Sequence, residues 1–223
     1  SVHGPDGSVF RGSFRDNVRH GWGETVFATG EVLSGEYVDG QLSGSGTMIA
    51  RNGDRYEGTF SKSVYHGTGR FTKANGDTFV GRIVNGLAHG PGILRLHSGE
   101  TYRGMFQNDF REGYGVCEYD DDFMYQGNWE RGLFQGKGVF KNTVTGEQFD
   151  GDWNLGKMSG FGTYVFANQD IFQGWFSNGH AHGQGTYWYR SSGNLYHGNW
   201  KRSRKHGHGQ LYFSSGAHYV GSF

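Results

Sequence analysis

Glycine recurs through this chain on a fixed period. Glycines at 12, 35, 58, 81, 104, 127, 151, 174, 198 and 221 stand 23 residues apart, with two steps of 24, and each of the first nine is followed nine and eleven residues later by two more. Ten openers and nine pairs account for 28 of the 42 glycines. Glycine in this amount without order would describe a flexible, low-complexity chain, because glycine loses the most backbone freedom on folding. A strict period instead marks a repeat architecture, whose units are stable only against their neighbours.

Bulky apolar residues flank each opening glycine at minus two and plus two: Phe10 and Phe14, Tyr56 and Phe60, Tyr102 and Phe106, Tyr125 and Trp129, Phe149 and Trp153, Tyr196 and Trp200. Aromatic residues make up 17% of the chain, so glycines at fixed places with rings packed over them are the organising motif. In "YRGMF", Tyr102, Gly104 and Phe106 fall on one face and Arg103 and Met105 on the other, the period of a strand. Asp39-Gly40, Asn85-Gly86 and Asn178-Gly179 follow such strands and favour tight hairpins. The second strand is expected to begin at the G-x-G pair, with Gly113, Gly115, Cys117 and Tyr119 on one face. A second turn, usually with glycine, links each hairpin to the next.

The predicted fold is all-β: an elongated, single-layer, twisted antiparallel sheet of tandem 23-residue hairpins, a solenoid-like rod without a closed globular core. Nine hairpins at a strand spacing of about 4.8 Å would extend over roughly 85 Å. A ring from a neighbouring strand is expected to cover each glycine. Residues 1–223 form one continuous array, with full repeats over about 10–32, 33–55, 56–78, 79–101, 102–124, 125–148, 149–171, 172–195 and 196–218 and partial repeats at both ends. Neither end has an atypical capping unit, so a stretch of a longer array is expected.

The segments "YEGTFSKSVYHGTGRF", "FVGRIVNGLAHGPGIL" and "YRGMFQNDFREGYGVC" resemble the MORN family (membrane occupation and recognition nexus), whose units read Y-x-G-x-W/F, then N-G, then H-G-x-G. The resemblance covers essentially the whole chain. Leu33 replaces an opening aromatic, Ile83 a closing one, and Asp122 and Gln169 stand where a linking glycine is usual. Membership implies homodimers and, for long arrays, scaffolds of cytoskeletal structures such as those of protists. It also implies a second function class, binding to phosphoinositides or anionic membranes.

Charge narrows these classes. Lys+Arg and Asp+Glu both number 21, so the basic field that drives nucleic-acid binding is missing. The one cysteine, Cys117, excludes an intrachain disulfide framework and suits a reducing, cytoplasmic setting. Neither a dinucleotide fingerprint nor a phosphate loop occurs, and a single-layer sheet offers little enclosed space for tuning catalytic groups, so no catalytic residue and no cofactor are assigned. The acidic run at 120–122 falls in a linking turn and reads as solvated.

Three groups stand out as candidate sites. Trp175 and Trp188 are out of phase with the inward pattern, with Val165 in the preceding unit and Tyr212 in the following one, which points to a partner or dimer interface. In "KRSRKHGHG", Lys201, Arg202, Arg204 and Lys205 form one basic hairpin turn, the best place for a phosphate or lipid contact, while His206-Gly207-His208-Gly209 belongs to the framework. Eleven histidines raise a metal reading. His20, His66, His89, His182 and His206 occupy one framework position, about 10 Å apart in successive hairpins, too far to share an ion. A metal-bridged oligomer through His180, His182, His206 and His208, with Cys117 or Asp120, is the minor alternative.

Overall fold

A computed structural model describes residues 1–119 and 122–223 as strands joined by turns and bends, with no helix among the described residues. Two units are distinguished, Ser1–Phe110 and Arg111–Phe223. The first holds β1 (Val2–His3), β2 (Val9–Arg15), β3 (Val18–Val26), β4 (Val32–Val38), β5 (Gln41–Ile49), β6 (Arg55–Ser61), β7 (Val64–Thr72), β8 (Thr78–Val84), β9 (Leu87–Arg95) and β10 (Thr101–Gln107). The second holds β11 (Phe110–Tyr119) from its second residue on, β12 (Phe123–Glu130), β13 (Leu133–Asn142), β14 (Gln148–Asn154), β15 (Lys157–Val165), β16 (Ile171–Ser177), β17 (His180–Trp188), β18 (Leu195–Lys201), β19 (Arg204–Tyr212) and β20 (His218–Ser222). Within each unit every strand pairs antiparallel with its chain neighbours, so each is an open meander of hairpins.

The hairpin tips are two residues long, both at positive φ, the geometry that matches strand twist. Asn85 (φ 51°) and Gly86 (φ 85°) are the residues such a turn favours. Lys62-Ser63 and Arg202-Ser203 adopt the same shape without glycine. Such tight turns let pairing resume at once, so the second strand starts three residues before the G-x-G pair, as Val18 does before Gly21, and not at the pair itself as the sequence predicts. Gly12 then pairs with Gly23 and Phe14 with Arg19, leaving two extra residues in the second strand. This bulge places Gly21 at φ 77°, which explains the middle framework glycine.

The third framework glycine has a different cause. It pairs across the hairpin with the opening glycine, and the opening ring lies flat over both: a Cβ on Gly185 would stand 2.5 Å from the Phe172 ring, and one on Gly174 2.5 Å from the Gly185 Cα. For the third glycine the covering ring therefore comes from the paired neighbouring strand, as the sequence predicts, and for the opening glycine it comes from two residues earlier on its own strand. The next repeat contributes as well, since its Trp200 comes within 3.3 Å of the Gly185 Cβ position. The core is thus one aromatic face laid on bare backbone, with Tyr56, Tyr102, Tyr125 and Tyr196 fully buried.

Polar atoms of the rings are accounted for by position. Opening tyrosines donate their hydroxyls to the carbonyl three residues on, as Tyr125 to Asn128 (2.9 Å) and Tyr196 to Asn199 (3.0 Å). Closing tryptophans donate Nε1–H to the preceding repeat's third glycine, as Trp153 to Gly138 (3.0 Å) and Trp200 to Gly185 (3.2 Å). Leu33 is compensated by Leu42, which is fully buried and covers Gly35 and Gly46 in place of a ring.

Candidate functional site

The outward face of the second unit carries the off-phase residues. Register places Val165 opposite Ile171, Ile171 opposite Trp188, Trp188 opposite Leu195 and Leu195 opposite Tyr212, so five apolar side chains form one row across five strands. Trp188 is 37% exposed and Tyr212 43%, and Tyr212 stacks on His218 at 6.0 Å. Ile171 and Leu195 complete this row and escape a reading that looks only for aromatic outliers. Their signal is positional: both stand just before the opening residue of a repeat, as do Val9 and Val32, while Arg55, Thr78 and Thr101 fill that place elsewhere.

Trp175, 53% exposed, lies apart from this row. It sits four residues along β16 from Ile171 and pairs with Phe161, the two rings meeting edge to face at 5.9 Å. A polar row of Thr163, Gln173, Thr186, His197 and Gln210 separates the two patches. Thr186 and His197 share a hydrogen bond at 2.9 Å, and Gln173 donates to Thr163 at 3.4 Å. The predicted interface is therefore two patches on one face.

The basic turn also divides. Lys201 and Arg204 face each other beside the Arg202-Ser203 tip, and all three cations are exposed. Lys205, read from the sequence as part of the same basic cluster, points to the opposite face because a strand alternates its side chains. Its ammonium lies 4.7 Å from the Tyr196 ring centre, 5.1 Å from Tyr189 and 5.5 Å from Phe223. It is a cation held over rings on the inward face.

Tyr102, Gly104 and Phe106 lie as expected, both rings buried with the glycine between them, and Met105 is exposed. Gly115 pairs with Gly127 and Cys117 with Tyr125, while Gly113 takes the bulge conformation at φ 62°. Cys117 is buried and accepts a hydrogen bond from Arg111 Nη1 at 3.5 Å. Asp120 lies outside the described residues, as does Asp121. Among the described residues no three His, Cys, Asp or Glu side chains converge. The framework position before the middle glycine does structural work in two repeats: Glu112 accepts the Arg131 N–H (3.0 Å) and Gln135 the Leu155 N–H (3.0 Å) of the next hairpin tip. No helix among the described residues is long and apolar enough to cross a membrane.

Comparison with known families matches the MORN repeat over residues 10–32, 34–55, 56–78, 79–101, 102–122, 125–142, 149–171, 172–193 and 196–218. A search of curated proteins finds no match. Among solved structures, the chain is similar to the TCP domain of SAS-4 (dCPAP) from Drosophila melanogaster in complex with a proline-rich motif of Ana2, at 14% identity and a TM-score of 0.28, covering 91% of this chain and 85% of that one. It is also similar to the TCP10 domain of CPAP from Danio rerio in complex with a STIL peptide, at 13% identity and a TM-score of 0.32, covering 96% and 98%. A virginiamycin B lyase from Staphylococcus aureus follows at 10% identity and a TM-score of 0.19, covering 99% and 82%. Scores this low carry no functional argument.

Proposed function

Because the chain belongs to the MORN-repeat family across nine consecutive segments, we propose that it is a non-catalytic scaffold that self-associates as a homodimer and binds partner proteins in a cytoplasmic, cytoskeletal assembly. The observation that carries this reading is the row Val165, Ile171, Trp188, Leu195 and Tyr212. Five adjacent apolar side chains on the outward face of a sheet are poorly placed in water, and patches of this kind mark interfaces. Family membership supplies the expectation of a dimer and of the cytoskeletal setting.

Size exclusion coupled to light scattering tests self-association: the expected mass is twice the 24.8 kDa of one chain. Trp188→Ala should shift the dimer toward monomer. Trp175→Ala should do so less, since Trp175 lies off the row. A concentration-independent monomer for the unmodified chain removes the dimer, and an unchanged mass for Trp188→Ala removes this row as its seam.

A second reading has one observation in its favour, the exposed Lys201, Arg202 and Arg204 at a single tip. Each contributes about 1 kcal/mol near an anionic surface. Three cations make a weak membrane contact beside the scaffold role. Co-sedimentation with phosphoinositide vesicles at physiological salt should show weak binding, and replacing the three by Ser should abolish it. Tight binding that survives those replacements would place the lipid surface elsewhere.

A further inference from the structure

The inward face is filled unevenly, and the unevenness follows one repeat position. Two residues before the middle framework glycine, the second strand turns a side chain onto the opening ring of its own hairpin. The Arg19 guanidinium lies 4.8 Å over Phe10, Tyr65 packs on Tyr56 at 4.3 Å, Phe134 stacks on Tyr125 at 3.7 Å, and the Lys205 ammonium sits over Tyr196. In the fourth repeat this position is Ala88, and its cross-strand partner is Ile83, the residue that departs from a closing aromatic. Phe79 is therefore only half-buried, while its counterparts Tyr56 and Tyr102 are fully buried.

What remains is an open hollow floored by Phe79, Ile83, Ala88 and Phe106, with Asp77, Asp109 and Lys73 at its rim. Lys73 Nζ stands 4.0 Å from Asp77 Oδ2, so those two charges largely offset each other. Asp77 spends its oxygens on the His97 N–H (2.9 Å) and the Asn75 side-chain amide (3.0 Å). Asp109 commits Oδ1 to the Ala88 N–H at 2.7 Å, and its second oxygen keeps the rim negative. The eighth repeat also has alanine here, Ala181, yet its hollow has no carboxylate in its lining and Phe172 beneath it is 2% exposed.

We infer that the hollow over Phe79 receives an arginine side chain from a partner polypeptide. Its stem would lie on Phe79 and Ile83, and its guanidinium would stack on the ring and meet Asp109. The chain supplies the template, since Arg19 and Lys205 lay a cation on the opening ring from this very position. Charge complementarity selects a cation over the rings that fill the same place in Tyr65 and Phe134. Arginine fits better than lysine, because a planar guanidinium stacks on a ring while its N–H edge addresses a carboxylate. This inference deepens the scaffold reading and rests on it only for the existence of a partner.

The test uses the whole chain labelled at Ala and Ile methyl groups, titrated with N-acetyl-arginine amide, its neutral near-isostere N-acetyl-citrulline amide, and N-acetyl-tyrosine amide. Arginine amide should shift the Ala88 and Ile83 methyl signals saturably, with a dissociation constant of about 1–10 mM for so small a ligand. Citrulline should bind more weakly, and Asp109→Asn, which keeps the Oδ1 acceptor for the Ala88 N–H, should weaken the arginine response by about 3-fold. Ala88→Arg should fill the hollow from within and abolish the response at Ile83; should that variant fail to fold, Asp109→Asn still decides. The inference is overturned by no saturable shift at Ala88, by citrulline or tyrosine amide matching arginine, or by shifts that grow with protein concentration alone, which would assign the hollow to a second copy of the chain. Dimer mass is read on separate samples, so failure of the scaffold reading and failure of this one are told apart.

Discussion

At the scale of the residue, the three framework glycines look equivalent in the sequence and are not. The third glycine is bare because the opening ring, or Leu42 in the second repeat, occupies its Cβ position, and the opening one because its Cβ would meet the facing backbone as well as that side chain; the middle one, as at Gly90 with φ 78°, is set by a bulge. Gly185→Ala should therefore cost about 2–3 kcal/mol, since the added methyl meets the Phe172 ring and the Trp200 edge, neither of which has room to move. Gly86→Asn should be nearly neutral, because nothing lies within 4 Å of a Cβ there and asparagine accepts the left-handed φ of 85°. Urea midpoints compare them directly, and equal stability of the two variants would defeat the packing account. The period and the inward aromatics were legible because side-chain alternation is written in residue type. The bulge was not: two extra residues preserve the alternation, so no apolar residue falls out of phase to reveal them.

At the scale of the element, successive linking turns are braced by a carboxylate that the sequence shows only as scattered aspartates. Asp54 accepts the Ala74 N–H (2.8 Å), Asp77 the His97 N–H (2.9 Å) and Asp170 the Arg190 N–H (2.7 Å), each twenty residues on, and Asn194 does the same for Ser214 (3.0 Å). Asp170, 6% exposed, also accepts from Tyr187 (2.8 Å) and from the Asn168 amide (2.9 Å). Burial by itself would raise its pKa, but these hydrogen bonds outweigh burial and hold it below the usual carboxylate range. Asp54 and Asp77 are lowered too, first by the backbone N–H groups they accept and then by their asparagine neighbours. A depressed folded pKa contributes stability that is complete above the unfolded value of about 3.9 and is lost as pH falls through the folded one. The fold should therefore hold its stability down to about pH 4 and lose it below. Asp170→Asn should cost about 1–3 kcal/mol at pH 7, because an amide cannot accept all three donors, and should flatten part of the acid loss. Thermal melts from pH 7 to pH 2 measure both effects, and parallel curves for variant and parent would exclude Asp170 as a source of the acid sensitivity.

At the scale of the molecule, a repeat array distributes its stability among repeats and their nearest neighbours, so local departures from the pattern should decide where unfolding begins. The departures that remove a framework ring gather in the first unit. Leu33 and Ile83 replace rings, Ala88 leaves Phe79 half-buried, and Phe14 remains 43% exposed. The second unit closes its sixth, seventh and ninth hairpins with Trp129, Trp153 and Trp200, each edge-to-face against its opening ring at 5.2–5.3 Å and each donating an indole hydrogen bond. Such ring pairs add about 0.5–1.5 kcal/mol each beyond burial, and a hydrogen bond about 1 kcal/mol more. The second unit should thus outlast the first. Tryptophan placement makes this measurable without new labels: Trp22, 67% exposed, belongs to the first unit, and the other five belong to the second. With Trp22→Phe, fluorescence reports on the second unit alone, while circular dichroism weighs strands of both. The fluorescence midpoint in urea should lie above the circular dichroism midpoint, and Ile83→Phe should narrow the gap by restoring a closing ring beside Ala88. Coincident midpoints would mean that the units unfold as one cooperative body, and the ring inventory of each would then no longer predict where the array first opens.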